Sequence, residues 1–201
     1  MKAESRAVNK SEIRNPKSEI GAGRRRIPAA VIKRAKGIRL LVMDVDGILT
    51  DGRVIYTAAG EAQVAFDILD GHGIKLALRF GLILAIITGR ESEVVAQRAR
   101  ELGILELHQK AVDKLPVFEN LLARHGLTPP QVGCMGDDLL DLPLLRRAGL
   151  AITVPGAVDE VRSAAHYVTR RPGGQGAVRE ALELLLKAQG HWPAVMERYR
   201  R

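Results

Sequence analysis

The sequence of 201 residues has little cysteine, few aromatic residues and no long apolar run, and each shortage excludes a class of protein. Its single cysteine, Cys134, excludes a disulfide framework and a cysteine-rich zinc site. Aromatic residues make up 3% of the chain, which argues against a surface that stacks single-stranded bases. The longest apolar run, residues 81–87, is far shorter than the ~18 residues of a membrane span and suits a buried strand.

The net charge of +8 comes entirely from the N-terminal segment. Residues 1–36 contain eleven Lys or Arg and three Glu, whereas basic and acidic residues are equal in number from residue 37 onward. Because the segment is polar and lacks the apolar stretch of a secretory signal, we predict a disordered extension and a cytoplasmic protein without a membrane span. A docking arm for nucleic acid or acidic lipid is the alternative, although the neutral remainder of the chain argues against nucleic acid as a partner.

From residue 37 onward, short apolar strands alternate with helical segments. This alternation predicts an α/β fold with a Rossmann-like, doubly wound parallel sheet that is covered by helices on both faces. Residues 54–56 and 62–66 flank a turn and predict a β-hairpin extension. The length suits one folded domain with a single core, over residues 37–189, followed by a C-terminal tail over 190–201.

Polar side chains follow four of the predicted strands, where folding alone would not require them. Because ligands bind at the carboxyl ends of parallel strands, we expect these side chains to lie together at one edge of the sheet. They are Asp44 and Asp46 after the first strand, Thr88 after the second, Lys114 beyond the third, and Asp137, Asp138 and Asp141 after the fourth.

Several carboxylates at one edge repel each other unless a cation lies among them, and an all-oxygen ligand set suits Mg²⁺. A hydroxyl and an ammonium group beside the metal suit the oxygens of a substrate phosphate. Asp44 is then placed to attack phosphorus and form an aspartyl phosphate, while Asp46 protonates the leaving alcohol and later activates water. The simpler alternatives are that Asp141 caps the helix beginning at Leu142 and that Asp138 orients water instead of binding the metal.

Taken in order, the four motifs resemble those of the haloacid dehalogenase superfamily of phosphatases. The resemblance implies that Asp44 is the nucleophile and Asp46 the general acid and base, while Thr88 and Lys114 bind phosphate. It also implies that Mg²⁺ is held by the side chains of Asp44 and Asp137 and by the backbone carbonyl of Asp46. The matching residues are Asp44-Val45-Asp46-Gly47, Thr88, Lys114, and Gly136-Asp137-Asp138 with Asp141.

Substrate choice in this superfamily usually comes from an inserted cap domain, for which this chain has no room. The 41 residues between Asp46 and Thr88 are taken up by the hairpin, a helix and a strand. Longer runs resemble the 3-deoxy-D-manno-octulosonate 8-phosphate phosphatases, which implies a capless homotetramer that requires Mg²⁺ and acts in lipopolysaccharide precursor synthesis. These runs are residues 44–52, 66–73, 86–90, 136–141, 167–170 and 173–180.

The same resemblance implies which residues contact the acidic sugar phosphate. Arg90 and Arg98 would complement its carboxylate, with a solvated helix residue as the alternative for Arg98. The other substrate contacts that it implies are Asp46, Thr88, Lys114 and Asp141 in the site and, across a subunit boundary, Asp67, Ile68, Leu69, Asp70, Gly71 and Lys75.

Asp67 departs from the family pattern, which usually has Asn at this position. An acid near an anionic substrate adds repulsion unless Lys75 or an arginine pairs with it. The phosphatase of a nine-carbon sugar-acid 9-phosphate is therefore the alternative, although Arg90 favours the eight-carbon acid. A non-catalytic assembly protein or a nucleic-acid-binding protein that uses the basic segment is the alternative of another class, against which the presence of Asp44, Asp46 and Lys114 argues.

Overall fold

A computed structural model of the chain describes residues 26–58 and 62–200. Six strands form one parallel sheet in the order β5-β4-β1-β6-β7-β8, and two more form an antiparallel hairpin. The strands are β1 (Leu40–Met43), β2 (Ile55–Tyr56), β3 (Ala62–Gln63), β4 (Ile83–Ile87), β5 (Glu106–His108), β6 (Val132–Met135), β7 (Leu150–Thr153) and β8 (Tyr167–Val168). The helices are α1 (Ala29–Ala35), α2 (Ile68–Arg79), α3 (Glu93–Leu102), α4 (Lys114–His125), α5 (Leu142–Arg147), α6 (Asp159–Ala164), α7 (Ala177–Ala188) and α8 (Trp192–Glu197).

Strand β1 lies at the centre of the sheet, where the direction of winding reverses. Leu40 pairs in parallel with Ile83 of β4 on one side and with Val132 of β6 on the other. Every residue of β1, β6 and β7 is buried, as expected for a parallel sheet that is covered on both faces. The carboxyl ends of β1, β4 and β6 therefore meet at the switch point, where ligands bind in such sheets.

The helices form two layers, which confirms the predicted doubly wound fold. Helices α1 and α3 each contact a member of the α2–α7 pair, whereas α5 contacts both α4 and α6. Strand β7 is contacted by α1 from the first layer and by α6 from the second, so each face of the sheet is covered. None of the described helices is long and apolar enough to cross a membrane.

The hairpin of β2 and β3 pairs Ile55 with Gln63 and Tyr56 with Ala62, so it is present but shorter than predicted. Within the described ranges, the chain between β1 and β4 forms only this hairpin and α2, and the chain between β4 and β6 forms α3, β5, α4 and a 3₁₀ turn. The described residues therefore contain no inserted cap domain, in agreement with the sequence analysis.

The predicted disordered extension, residues 1–36, is corrected at its C-terminal end. Residues 1–25 lie outside the described residues, but 29–35 form α1, which packs against α7 and buries Val31 and Ala35. The side-chain amide of Gln189 donates to the carbonyls of Ala35 (3.1 Å) and Ile38 (2.7 Å). Seven residues are too few for helical periodicity to stand out among the surrounding positive charges. The docked helix thus belongs with the folded domain.

The C-terminal tail that was predicted over residues 190–201 contains the short helix α8. Its buried residue, Val195, packs against Leu76 of α2 and Leu186 of α7. The Trp192 ring lies 4.4 Å from the ammonium group of Lys187, an arrangement typical of a cation–π contact. The beginning of the tail is therefore attached to the layer that contains α2 and α7.

Helix ends near the sheet follow the capping signals in the sequence. The carboxylate of Asp113 accepts a hydrogen bond from Leu115 N at 3.1 Å and begins α4, which ends at Gly126 with a φ of 60°. Ser92 begins α3 in the same way, and Gly103, with a φ of 83°, ends it. These caps determine where the first residues of α3 and α4 stand relative to the strand ends.

We expect Gly126→Ala to lower the free energy of unfolding by about 1–2 kcal/mol, because an L-residue is strained in the left-handed region. A Cβ at this position would meet nothing within 4 Å, so the effect comes from the backbone alone. Denaturant unfolding would measure it. Gly37→Ala is the control, since its φ lies outside the left-handed region and its Cβ would lie 3.7 Å from Arg34 O. A control that loses as much stability as Gly126→Ala would contradict this account.

Candidate active site

The centre of the site is the buried ammonium group of Lys114, the first residue of α4. Its Nζ atom lies 2.9 Å from Asp44 Oδ1 and 2.7 Å from Asp141 Oδ1. Burial alone would lower the pKa of Lys114, but the two adjacent carboxylates outweigh burial and raise the pKa above its ordinary value. The cap at Asp113 places this lysine at the start of its helix, opposite the end of β1. Lys114 is therefore charged and holds Asp44 and Asp141 together.

Asp141 orients its carboxylate inward, where it is 3% exposed. Its Oδ2 atom accepts hydrogen bonds from Asp137 N (3.0 Å) and Asp138 N (3.3 Å), while its Oδ1 atom accepts from Lys114. The side chain does not cap α5, so the capping alternative from the sequence is wrong. A Cβ at Gly136 would overlap the Asp141 side chain, which explains the glycine in the Gly-Asp-Asp motif.

Three carboxylates form a candidate metal centre. One oxygen each of Asp44, Asp137 and Asp141 can be chosen so that all three atoms lie within 4.8 Å of one another. Gly47, with a φ of 82°, lies against Asp137, and a Cβ there would overlap its carboxylate. The close approach of Asp137 to the loop after β1 thus depends on a glycine. The structure brings together the side chains of Asp44 and Asp137, as predicted for the metal, and adds Asp141.

The electrostatics of this cluster fit a divalent cation. Burial and the nearby carboxylates of Asp44, Asp141 and Asp138 raise the pKa of Asp137 to about 7. Burial and Asp141 raise the pKa of Asp44 to about 6, although Lys114 acts in the opposite direction. A single ammonium group does not balance three carboxylates, and an all-oxygen donor set is the one that hard divalent cations prefer.

Thr88, Asp46 and Arg90 line a small cavity beside the cluster. Thr88 is buried at the end of β4, and its hydroxyl accepts a hydrogen bond from Arg90 N at 3.4 Å. The guanidinium group of Arg90 donates to Asp46 Oδ1 at 3.0 Å. This pair places a positive charge directly beside the residue that the sequence analysis assigned as the general acid.

Two further residues of this cavity, Ser92 and Gln109, were missed by the sequence analysis. The Gln109 side-chain carbonyl accepts a hydrogen bond from Ser92 N at 2.7 Å and joins the loops that follow β4 and β5. The position of Gln109, directly after strand β5 of the same sheet, could have indicated it as a site residue.

The start of α2, which was expected to reach the substrate, is held by contacts within the chain. Asp67 caps α2 through Leu69 N at 2.5 Å. Asp70, 2% exposed, instead accepts hydrogen bonds from Gly176 N (3.3 Å) and Arg179 N (2.6 Å) at the start of α7. Burial raises the pKa of Asp70 to about 6. The structure therefore gives Asp70 a role in joining α2 to α7.

Other residues expected around the substrate take several positions. Lys75 Nζ donates to the carbonyl of Glu101 at 2.8 Å. The guanidinium group of Arg98 lies against Gly71, where a Cβ would crowd it, and 5.8 Å from the centre of the Phe66 ring. Arg98 is therefore held between α2 and α3. Ile68, by contrast, is 80% exposed and open to a partner.

Comparison with known proteins identifies the family. A model of haloacid dehalogenase-like hydrolases matches residues 83–182. The chain is 44% identical to the 3-deoxy-D-manno-octulosonate 8-phosphate phosphatase of Escherichia coli strain K12, over 82% of this chain and 87% of that protein. It is 45% identical to the phosphatase of the same name from Yersinia pestis, over 79% of this chain and 85% of that protein. The chain belongs to this phosphatase family.

Solved structures of family members support the same assignment. The 3-deoxy-D-manno-octulosonate 8-phosphate phosphatase of Moraxella catarrhalis, in complex with a magnesium ion, a phosphate ion and 3-deoxy-D-manno-octulosonate, superimposes with a TM-score of 0.83 at 43% identity, over 85% of this chain and 98% of that one. A probable YrbI family phosphatase from Pseudomonas syringae pv. phaseolica 1448a superimposes with a TM-score of 0.85 at 45% identity, over 87% and 99%. The predicted resemblance, fold and phosphatase activity are confirmed, and the acidic cluster is a candidate metal-binding site.

We expect the affinity of this phosphatase for a divalent cation to rise between about pH 5.5 and pH 8, because the carboxyls of Asp44 and Asp137 must lose protons to bind it. Their raised pKa values also mean that the metal-free folded state holds protons that the unfolded chain, with Asp at 3.8, has lost. The free energy of unfolding should therefore fall as pH rises from the unfolded value of 3.8 towards about 6 and 7, and level off above these values.

Calorimetric titration with Mg²⁺ in two buffers of different ionisation enthalpy would measure the protons released on binding. Thermal unfolding of the metal-free protein from about pH 4 to pH 8 would measure the stability effect. Asp137→Asn should flatten both pH dependences, because it removes the carboxyl with the highest of these pKa values. Equal pH dependence in the wild type and this variant would contradict the assignment.

We expect Asp141→Asn to lower phosphatase activity by about 10–100-fold, the usual effect of losing a residue that orients catalytic or metal-binding groups. The substitution removes one of the two carboxylate charges that contact the Lys114 ammonium group. Phosphate release at saturating metal would measure the loss. Asp159→Asn is the control, because the Asp159 side chain is 84% exposed on α6, away from Lys114. Equal losses in both variants would argue against a special role for Asp141.

Proposed function

We propose that this phosphatase uses Mg²⁺ to hydrolyse 3-deoxy-D-manno-octulosonate 8-phosphate to the free sugar acid and phosphate, through an aspartyl phosphate on Asp44. The observation that carries the proposal is the buried contact of Lys114 with Asp44 and Asp141 beside Asp137. The substrate is taken from relatives that align with more than four-fifths of the chain.

The first half-reaction uses the two aspartates of the loop after β1. Because Asp44 Oδ1 contacts Lys114, the second carboxylate oxygen of Asp44 attacks phosphorus while the bond between phosphorus and the sugar oxygen breaks. Asp46 donates its proton to the departing sugar oxygen. Lys114 and the Thr88 hydroxyl bind the phosphate oxygens and stabilise their growing charge. Mg²⁺, held by Asp44 and Asp137, would offset the repulsion between the carboxylate and the phosphate.

The second half-reaction restores the enzyme. Asp46, now a carboxylate, takes a proton from a water molecule as that water attacks the phosphorus of the aspartyl phosphate. The bond between phosphorus and the Asp44 oxygen breaks, which releases phosphate and regenerates the Asp44 carboxylate. One phosphate ester and one water are consumed, and one alcohol and one phosphate are formed.

Arg90 supports an acidic leaving group. Its guanidinium group lies on the Asp46 side of the site, where the sugar must be, and complements a carboxylate there. Asp67, whose acid was a reason to consider nine-carbon substrates, is engaged with the backbone of its own helix. The eight-carbon acid is therefore the preferred substrate in this proposal, and the nine-carbon acid is the alternative.

Exposed apolar side chains support an assembly of several copies. Ile55 and Tyr56 of the hairpin and Ile68 at the start of α2 are the kind of side chains that a subunit interface covers. We place the protein in a homotetramer in the cytoplasm, in lipopolysaccharide precursor synthesis, with the start of α2 reaching a neighbouring site through Ile68 and Leu69.

We expect Mg²⁺-dependent phosphate release from the eight-carbon substrate to exceed that from a nine-carbon sugar-acid 9-phosphate by about tenfold or more, about the discrimination that a change of one carbon brings. Asp44→Asn should lower kcat by at least about 10³-fold, as expected for a nucleophile. Asp159→Asn, a change of the same chemistry on the exposed side of α6, is the control and should leave kcat unchanged.

The possible results separate the parts of the proposal. Preference for the nine-carbon substrate would overturn the substrate while keeping the chemistry. Full activity in Asp44→Asn, or without any divalent cation, would overturn the mechanism. Failure on both sugar acids would overturn the substrate assignment and require a broad panel of other phosphate esters.

A further inference from the structure

Lys110 has an unusual backbone conformation close to the site. Among residues 26–58 and 62–200, it is the one residue other than glycine with a positive φ, 59°. This left-handed region strains an L-residue and suits glycine. Non-glycine residues held in this way often lie at functional sites, where the side chain gives the reason for the strain.

The loop around Lys110 is shaped by the residues of the site itself. Lys110 N donates to the carbonyl of Arg90 at 3.3 Å, and Ala111 N donates to the carbonyl of Thr88 at 3.0 Å. These bonds join the loop after β5 to the loop after β4, and both carbonyls belong to residues that line the cavity. Glycine would adopt this backbone with less strain, so the backbone does not account for lysine here.

The ion pair that the Lys110 side chain makes does not explain a lysine at this position either, because it contributes little stability. Its Nζ atom lies 2.7 Å from Glu91 Oε2, and the two side chains are 67% and 63% exposed. Such exposed ion pairs contribute little to stability. The pair is also easily exchanged, because water and a competing anion reach both groups.

The position of this pair is informative. Arg90 and Gln109 line the cavity that also contains Asp46 and Thr88, and Glu91 and Lys110 are the next residues along each loop. Because both side chains are exposed and directly follow lining residues, we infer that the pair adjoins the cavity on its solvent side. Arg90 donates to Asp46 through one nitrogen and leaves the rest of its guanidinium group for the substrate carboxylate. Lys110 adds a second cation, whose partner Glu91 can be replaced by a substrate anion.

We propose that Lys110 is a specificity-determining residue whose ammonium group binds the carboxylate of the acidic sugar phosphate, in exchange for Glu91. This inference rests on the proposed function, since it concerns the same substrate. The phosphate end of the substrate is held by Lys114, which is buried and occupied by two carboxylates. Lys110 binds the opposite, acidic end and has no part in the chemistry at phosphorus.

Three substitutions at one position separate charge from backbone strain. Lys110→Gly removes both, Lys110→Asn removes the charge and keeps a side chain that tolerates the left-handed region, and Lys110→Arg keeps the charge. We expect KM for 3-deoxy-D-manno-octulosonate 8-phosphate to rise about 5–10-fold in the Gly and Asn variants, with kcat within about twofold, as when an interaction that binds substrate and transition state equally is lost. The Arg variant should stay close to the wild type.

Two controls show whether the effect is specific to the acid. For p-nitrophenyl phosphate, which has no carboxylate, KM and kcat should stay within about twofold of the wild type in all three variants. The midpoint of thermal unfolding should rise by about 2–4 °C in Lys110→Gly, because the strain is relieved. Higher stability together with weaker binding of the acidic substrate is a result that a purely structural role would not produce.

The outcomes distinguish this inference from the proposed function. Unchanged KM for the sugar acid in both uncharged variants, or equal losses on both substrates, would overturn the inference alone. A wild-type protein that hydrolyses p-nitrophenyl phosphate but neither sugar acid would overturn the proposed function, and this inference with it.

Discussion

The site depends on the burial of one ammonium group among carboxylates. Without Lys114, Asp44 and Asp141 would face each other in a region shielded from water, where unpaired charges are strongly unfavourable. The backbone N–H groups of Asp137 and Asp138 satisfy the remaining oxygen of Asp141. The ion pairs therefore join the end of β1, the start of α4 and the turn after β6, three segments that are far apart in the sequence.

The positions of the strand ends were predictable because the apolar residues of a strand fill the core, whereas the polar residues that follow it belong to the site. Apolar residues such as those of β1 and β6 are needed to fill a sheet with both faces covered, and polar residues that follow them are not. In the sequence, the change from apolar to polar residues therefore marks where the core ends and the site begins, at Asp44, Thr88 and Asp137. The same reasoning predicted the alternation of strands and helices along the chain, and capping residues mark the starts of α3 and α4.

The residues whose contacts the sequence did not predict have side chains that can serve several purposes. An aspartate before a helix can cap that helix, as Asp67 does, cap a distant helix, as Asp70 does, or orient a lysine, as Asp141 does. Only the tertiary contacts select among these uses. Arg98 was similarly ambiguous, because its place against Gly71 depends on how closely α2 and α3 approach. The short α1 was missed because its stability comes from packing against α7 and not from its own sequence.

Helix α7 follows every strand of the sheet in the sequence, and its late synthesis affects how the chain folds on the ribosome. It lies near the end of the chain, yet it contacts α1, α2 and α8, and its first turn binds Asp70. The glycine run before it also contacts the loop after β1, where Gly174 N donates to the carbonyl of Ile48 at 3.1 Å. A ribosome-bound chain that stops before residue 177 would leave the apolar side of α2 uncovered. Such a nascent chain should be a target for chaperones until residues 177–188 have emerged from the ribosome.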